Sequence, residues 1–410
     1  MTAHTPSPFA VPFPAMPEVE GVRLAAAEAN IRYKNRDDVL LAVFAPGTTV
    51  AGVFTQNKMP GIPVDWCQKI LPRGTARALV VNSGNSNVFT GEKGRKAVRQ
   101  TVEATAALVN CSPEDVYVSS TGVIGEVLPA DKIVDALPSA HKMLSGKKWE
   151  AAARAIMTTD TFAKGATRTA KIGTASVHIN GFVKGSGMIA PDMATMLGYV
   201  FTDAAISADI LQKLLSDGTQ ESFNAITVDS DTSTSDTVLA FATGKIDHKE
   251  IKKAEDAALK DFRVKFLEVL QELAMLVVKD GEGITKLVKI TVKGAENNNA
   301  ARRVGLSIAN SPLVKTAIAG SDANWGRIIA AIGKAGEKAN RDKTSIWVGG
   351  FLIAKEGGRN PKYVEAPVAK YMQGREIDIV ADIGVGKGTA TVWTCDLTHA
   401  YIDINVGYRS

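Results

Sequence analysis

Apolar runs of strand length alternate with helically spaced segments along most of the chain, and no Pro- or Ser-rich linker divides it internally. Such alternation builds sheets covered by helices, so a mixed α/β protein is expected. Residues 76–87 (ARALVVNSGNSN) read as a buried strand entering a Gly/Asn loop, and residues 94–110 carry apolar side chains at helical spacing. Residues 115–129 read as a strand ending in a Thr-Gly turn, and residues 147–161 as an Ala-rich helix broken at Thr and Asp. Residues 166–181 alternate as a hairpin does, MLGYVFTDAAIS predicts a strand, and ADILQKLLSDGTQESFNA predicts a helix. A long helix is expected from residue 250 to about 278, stopped by Gly281. Beyond it lie a strand in KLVKITVKGA and helices in SPLVKTAIAG and NWGRIIAAIGKAG. Strands are expected near SIWVGGFLIA, EIDIVADIG and TATVWTCDLTHAYIDINVG. At 410 residues the chain is too long for one ordinary core, which suggests two domains or one large duplicated unit.

Composition excludes several function classes. A net charge of +5 is small for this length, and the densest cationic cluster, HKEIKKAEDAALKD, alternates signs as a solvated helix face does. Nucleic acid is therefore not an expected partner. Cys67, Cys111 and Cys395 are far apart and odd in number, with no CxxC, so a reducing cytoplasm is expected and a disulfide framework is not. The five histidines are scattered and suggest no metal site. The N-terminal MTAHTPSPFAVPFPAMP lacks the basic start and apolar core of a signal peptide, and its prolines suggest an extended, partly disordered arm. No run of about 20 apolar residues is present to span a membrane.

Familiar site motifs fail on spacing. DIGVGKGTATV has Asp382 five residues before Lys387 and Gly388 after it, so it is no phosphate loop, and KGSG at Lys184 fails the same test. TVDSDTSTSDTV, residues 227–238, places three Asp among Ser and Thr without the Gly and distal Glu of a calcium loop. It reads as a polar loop between strands that could support a nearby site. No GxSxG is present, and no His stands beside a candidate Ser or Cys.

A nucleophile without a neighbouring base has one other route. A Thr that becomes the first residue of a chain has its own α-amino group as base, with an unperturbed pKa of about 7.7–8.0. Self-cleavage creates such a residue when the hydroxyl attacks the preceding carbonyl and water hydrolyses the resulting ester. In APDMATMLGY, Ala194 precedes Thr195 and Gly198 follows, which suits that attack. A Thr in an apolar run is more often a strand residue with a satisfied hydroxyl, and the residues alone favour that plainer reading.

The segment KGSGMIAPDMATMLGYVFTDA closely resembles the self-cleavage region of the ornithine acetyltransferases, a family of arginine biosynthesis also described as bifunctional glutamate N-acetyltransferases. VVNSGNSN, SSTGVIGEVLP, AIMTTDT, VDSDTSTSDTV, VKDGEGITK, SPLVKTAIAGSDANWGRI and YIDINVGYRS resemble that family in the same order, from about residue 82 to the end. Ser230, Ser235 and Ile284 depart from residues common there, namely Gly, Asn and Ala.

The resemblance implies a layered αββα-type sandwich, shared with self-processing aminopeptidases, and cleavage after Ala194 into an α chain of 1–194 and a β chain of 195–410. Thr195 matches the nucleophile, and Thr121 and Gly122 match the oxyanion hole. Lys184, Glu282, Asn405 and Ser410 match substrate contacts, as does a threonine of MTTDT, with Thr158 favoured over Thr159 by spacing. The implied substrates are N2-acetylornithine and glutamate, with acetyl-CoA as an alternative donor and no resident cofactor or metal. The implied assembly is a heterotetramer of two α and two β chains. A self-processing aminopeptidase or amidohydrolase is the alternative, as is a binding protein that never cleaves.

Overall fold

The computed structural model describes residues 5–190 and 196–406. Three of the residues singled out above, Ala194, Thr195 and Ser410, lie outside the described residues, as does the expected cleavage point.

The first sheet is formed by β1 (Val22–Ala27), β2 (Val39–Phe44), β4 (Ala78–Asn85) and β5 (Val116–Val123), in that order. The second has the order β3 (Thr49–Phe54), β9 (Thr237–Ile246), β8 (Leu197–Ala204), β7 (Ala175–Lys184), β6 (Lys164–Ile172). The strand period of two divides the second sheet's side chains between two cores. Phe182, Leu197, Tyr199, Phe201, Leu239 and Phe241 face the first sheet, while Val183, Val200, Val238 and Ala240 face the opposite way. Between the sheets Phe44 stacks on Phe241 with ring centroids 4.4 Å apart, and Trp149 meets Phe201 edge-on at 5.4 Å. Helices α2 (Gly91–Val109) and α3 (Ala130–Lys142) cover the first sheet. Helices α5 (Ala208–Gln220) and α6 (Lys260–Val278) cover the second. The result is the expected αββα sandwich.

The remaining chain forms a third sheet with its own core. Its order is β13 (Gly358–Arg359), β12 (Phe351–Lys355), β11 (Ser345–Val348), β14 (Glu376–Asp382), β10 (Leu287–Ala295), β15 (Gly388–Cys395). Helix α7 (Asn298–Ala309) packs on β10 and β15. Trp393 of β15 accepts the Thr227 N–H at 2.9 Å, and Leu287 and Cys395 enter the core beneath the second sheet.

Four expectations change. The long helix begins at Lys260 rather than near residue 250, where the charged stretch ends in a 3-10 turn capped by Asp256. The strand with Thr121 and Gly122 runs through both residues instead of turning at them, because they pair with Ser83 and Gly84 of β4. The N-terminal arm is extended but held over its described part. Ser7 N–H donates to Thr161 Oγ1 at 3.0 Å, and Asn180 donates to the Pro17 carbonyl at 2.7 Å. Finally, β15 stops at Cys395, and the YIDINV stretch expected as strand is helix α11 (His399–Val406). Its alternation mimics a strand, but among the described residues no strand pairs with it, and Thr398 Oγ1 instead donates to the Gly283 carbonyl at 2.7 Å just before the helix starts.

Candidate active site

Two parallel strand pairs bring chemistry to one end of the sandwich. Strands β4 and β5 end together at Asn85 and Val123, while β7 ends at Lys184, which pairs with Leu197 at the start of β8. Strand β9 starts level with β8, Leu197 opposite Thr237. A cavity of about 360 Å³ opens there, lined by Thr121, Gly122, Thr158, Thr159, Lys184, Glu282 and Asn405. Every described candidate from the sequence therefore borders one space, of a size that suits a small amino-acid derivative. Among the described residues no His or Cys lines it. A larger cleft of about 710 Å³, between α6 and β15, contains none of these candidates.

Lys184 is buried, and its Nζ donates to Thr121 Oγ1 at 3.2 Å. An ammonium has no lone pair to offer, so the Thr121 hydroxyl accepts here and its own proton stays available to the cavity. Burial lowers the Lys184 pKa; Asp160, Glu282 and Asp236 work against that, and Lys164 adds to it. Gly122 has φ +132°, and a Cβ there would lie 2.4 Å from the Gly84 carbonyl carbon. Only glycine fits this crossing of β4 and β5.

Glu282 lines the same cavity. Its N–H donates to the Ser186 carbonyl at 2.9 Å, and Asn405 Nδ2 donates to its Oε2 at 2.7 Å. Thr159 and Ser186 share a hydroxyl contact of 2.6 Å. Helical geometry makes α11 informative: Tyr401 and Asn405 are four residues apart and so share a face, and both line the cavity.

Several residues were not singled out from the sequence. Asp229 accepts the N–H groups of Met188 at 2.6 Å and Ile189 at 2.8 Å, fixing the chain that leads towards residue 191. Tyr401 also donates to it at 3.3 Å. Burial pushes the Asp229 carboxyl up to about 6, against the two backbone donors, and nearby Glu282 adds to the rise. Residues 231–235 continue the same wall, so the acidic Ser/Thr loop does border the site. The signal was that loop's density of Asp, but not its partners. Asp236 is buried. Burial pushes its carboxyl well above the usual range, opposed by the Met196 N–H and Lys184.

The cysteines offer no competing nucleophile. Burial pushes the Cys67 thiol up to about 12, and Cys395 is raised for the same reason. Among the described residues no cluster of His, Cys, Asp or Glu is arranged to hold a metal, and no helix is long and apolar enough to cross a membrane.

Comparison with known proteins identifies the family. The ArgJ family model matches residues 23–410. A Gluconobacter oxydans protein named arginine biosynthesis bifunctional protein ArgJ is 56% identical over 404 residues, covering 98% of this chain and 95% of that one. A Mesorhizobium japonicum protein of the same name is 56% identical over 403 residues, covering 97% of each. Among solved structures, the arginine biosynthesis bifunctional protein argJ of Bacillus halodurans matches with a TM-score of 0.50 and 40% identity. That match takes 52% of this chain and 100% of the other. With a family model spanning all but the first 22 residues and relatives more than half identical over nearly the full length, this chain belongs to the ArgJ family.

Proposed function

We propose that this protein is an acyltransferase of arginine biosynthesis that moves the acetyl group of N2-acetylornithine to glutamate through an acetyl ester on Thr195. The observation that carries the reading is the gathering of Thr121, Gly122, Lys184 and Glu282 around one cavity in a member of this family.

The chain is first cut between Ala194 and Thr195. The Thr195 hydroxyl attacks the Ala194 carbonyl carbon, the peptide nitrogen becomes the α-amine of Thr195, and water hydrolyses the ester. The solved Bacillus halodurans chain supports this reading, since 52% of the present chain matches it in full, as a half-chain would.

Acetyl transfer then proceeds in two halves. The α-amine of Thr195 takes the hydroxyl proton as the oxygen bonds to the acetyl carbon. Negative charge develops on the acetyl oxygen, where the Thr121 O–H and the Gly122 N–H are assigned as donors. Collapse breaks the carbon–nitrogen bond, and ornithine leaves with the proton. The amine of glutamate then attacks the ester carbon and releases the Thr195 hydroxyl. Lys184 suits a substrate carboxylate and Glu282 the side-chain ammonium of ornithine, both as charge-assisted pairs. Thr158, Thr159, Asn405 and Ser410 are assigned to substrate contacts.

No resident cofactor or metal has a step in this scheme. Acetyl-CoA is proposed as a second donor because the relatives are named bifunctional. The proposed assembly is two α and two β chains in the cytoplasm, and size measurement of the purified protein checks that stoichiometry.

A denaturing gel and one assay test the function. Two bands near half of 43.4 kDa and glutamate-dependent release of ornithine without free acetate are expected. A lone full-length band, or acetate released without glutamate, overturns the reading.

A further inference from the structure

Beneath the cavity lies a charge cluster that the acetyl-transfer scheme does not use. Lys164 Nζ is 2.6 Å from Asp160 Oδ1 and 2.6 Å from Asp280 Oδ2, and all three side chains are fully buried. A buried ion network contributes little net stability, because desolvation offsets the attraction. Its geometric reach is greater. Asp160 Oδ1 also accepts the Gly185 N–H at 2.7 Å, next to Lys184, and Asp160 Oδ2 accepts the Thr158 N–H at 3.0 Å. Asp280, two residues before Glu282, accepts from the Thr161 N–H at 2.9 Å and hydroxyl at 2.5 Å. The network thus joins the ends of the segments that carry Thr158, Lys184 and Glu282.

We infer that Asp160, Lys164 and Asp280 form a positioning triad that fixes the separation of Lys184 and Glu282, the two charged substrate contacts. The proposal rests on the substrate roles assigned above. The triad also spans the expected cut: Asp160 and Lys164 precede it and Asp280 follows it, so it sets the same spacing after the chain is divided.

The test uses Asp160→Asn in the full-length protein, nearly isosteric but uncharged. Ornithine binding is measured by calorimetry, alongside steady-state acetyl transfer and thermal unfolding. The expected result is a Kd for ornithine and a KM for N2-acetylornithine raised at least tenfold, with kcat falling less than threefold. Unchanged Kd and KM with a lower unfolding temperature indicates a purely structural network and overturns the proposal. So does a lost kcat at unchanged KM. If Asp160→Asn does not fold, Thr161→Val keeps all three charges and removes one hydroxyl of the network. A rise of threefold or more in the ornithine Kd then supports positioning, and an unchanged value overturns it. Ornithine binding by the wild-type protein without acetyl transfer counts against the assigned function alone, whereas no binding at all overturns both.

Discussion

Lys184 Nζ donates to Thr121 Oγ1 across 3.2 Å, tying the ends of two strands that belong to different sheets of the sandwich. This contact turns the Thr121 hydroxyl into an acceptor towards the lysine and leaves its proton for the cavity. One residue pair thus links the proposed carboxylate contact to the proposed oxyanion donor. Thr121→Val is expected to lower kcat by about 10²–10³, the usual effect of losing one oxyanion-hole donor. Thr121→Ser, which keeps the hydroxyl, should retain most activity. Equal losses in both variants would sink the assignment.

Thr195→Ala removes the hydroxyl on which both proposed reactions depend. Neither a cleaved band nor acetyl transfer is expected, and Thr195→Ser should restore some cleavage. Full cleavage of Thr195→Ala on a denaturing gel would refute the self-processing step.

At Gly187 an added Cβ would lie 2.5 Å from Glu282 Cδ. The obstruction is the far end of a flexible side chain, so Gly187→Ala should push the carboxylate aside at little cost in stability. The expected signature is a KM for N2-acetylornithine raised about tenfold, roughly 1.4 kcal/mol of binding, with an unfolding temperature near that of the wild type. At Gly122 the obstruction is backbone and φ is +132°. Gly122→Ala should therefore destabilise the fold by about 1–3 kcal/mol or more, read by denaturant titration.

Asp229 makes stability depend on pH. Its carboxyl lies near 6 against an ordinary 3.8, because burial outweighs the two backbone donors. Between those values the folded chain binds more protons than the unfolded chain, so this residue's contribution is full below about pH 4 and decreases as pH rises to about 6. Above that it is flat. The difference in unfolding free energy between wild type and Asp229→Asn, measured across pH 4–8, should show this fall; a difference rising with pH would contradict the buried-carboxyl assignment.

Helices and strands with clear periodicity were legible in the sequence: the β6–β7 hairpin, α2, α5 and β8 all lie where spacing places them. Helix α11 was not, because YIDINV alternates like a strand, and its helical form comes with tertiary contacts to the Glu282 loop that no local pattern reveals. That form sets Tyr401 and Asn405 on one face towards the cavity. Likewise, motif order named Thr121, Lys184 and Glu282, but nothing local indicated that strands from two sheets bring them together.

The mixed α/β class and the family were readable without any coordinates, since periodicity and motif order are written along the chain. The sequence also supplied the candidate nucleophile. The third sheet, the support from Asp229, and the buried triad of Asp160, Lys164 and Asp280 emerge only when the chain is folded. Lys164 and Asp280 are 116 residues apart. An interaction at that separation has no local period or spacing to reveal it, and it exists because packing removes all three charges from water and sets them against each other.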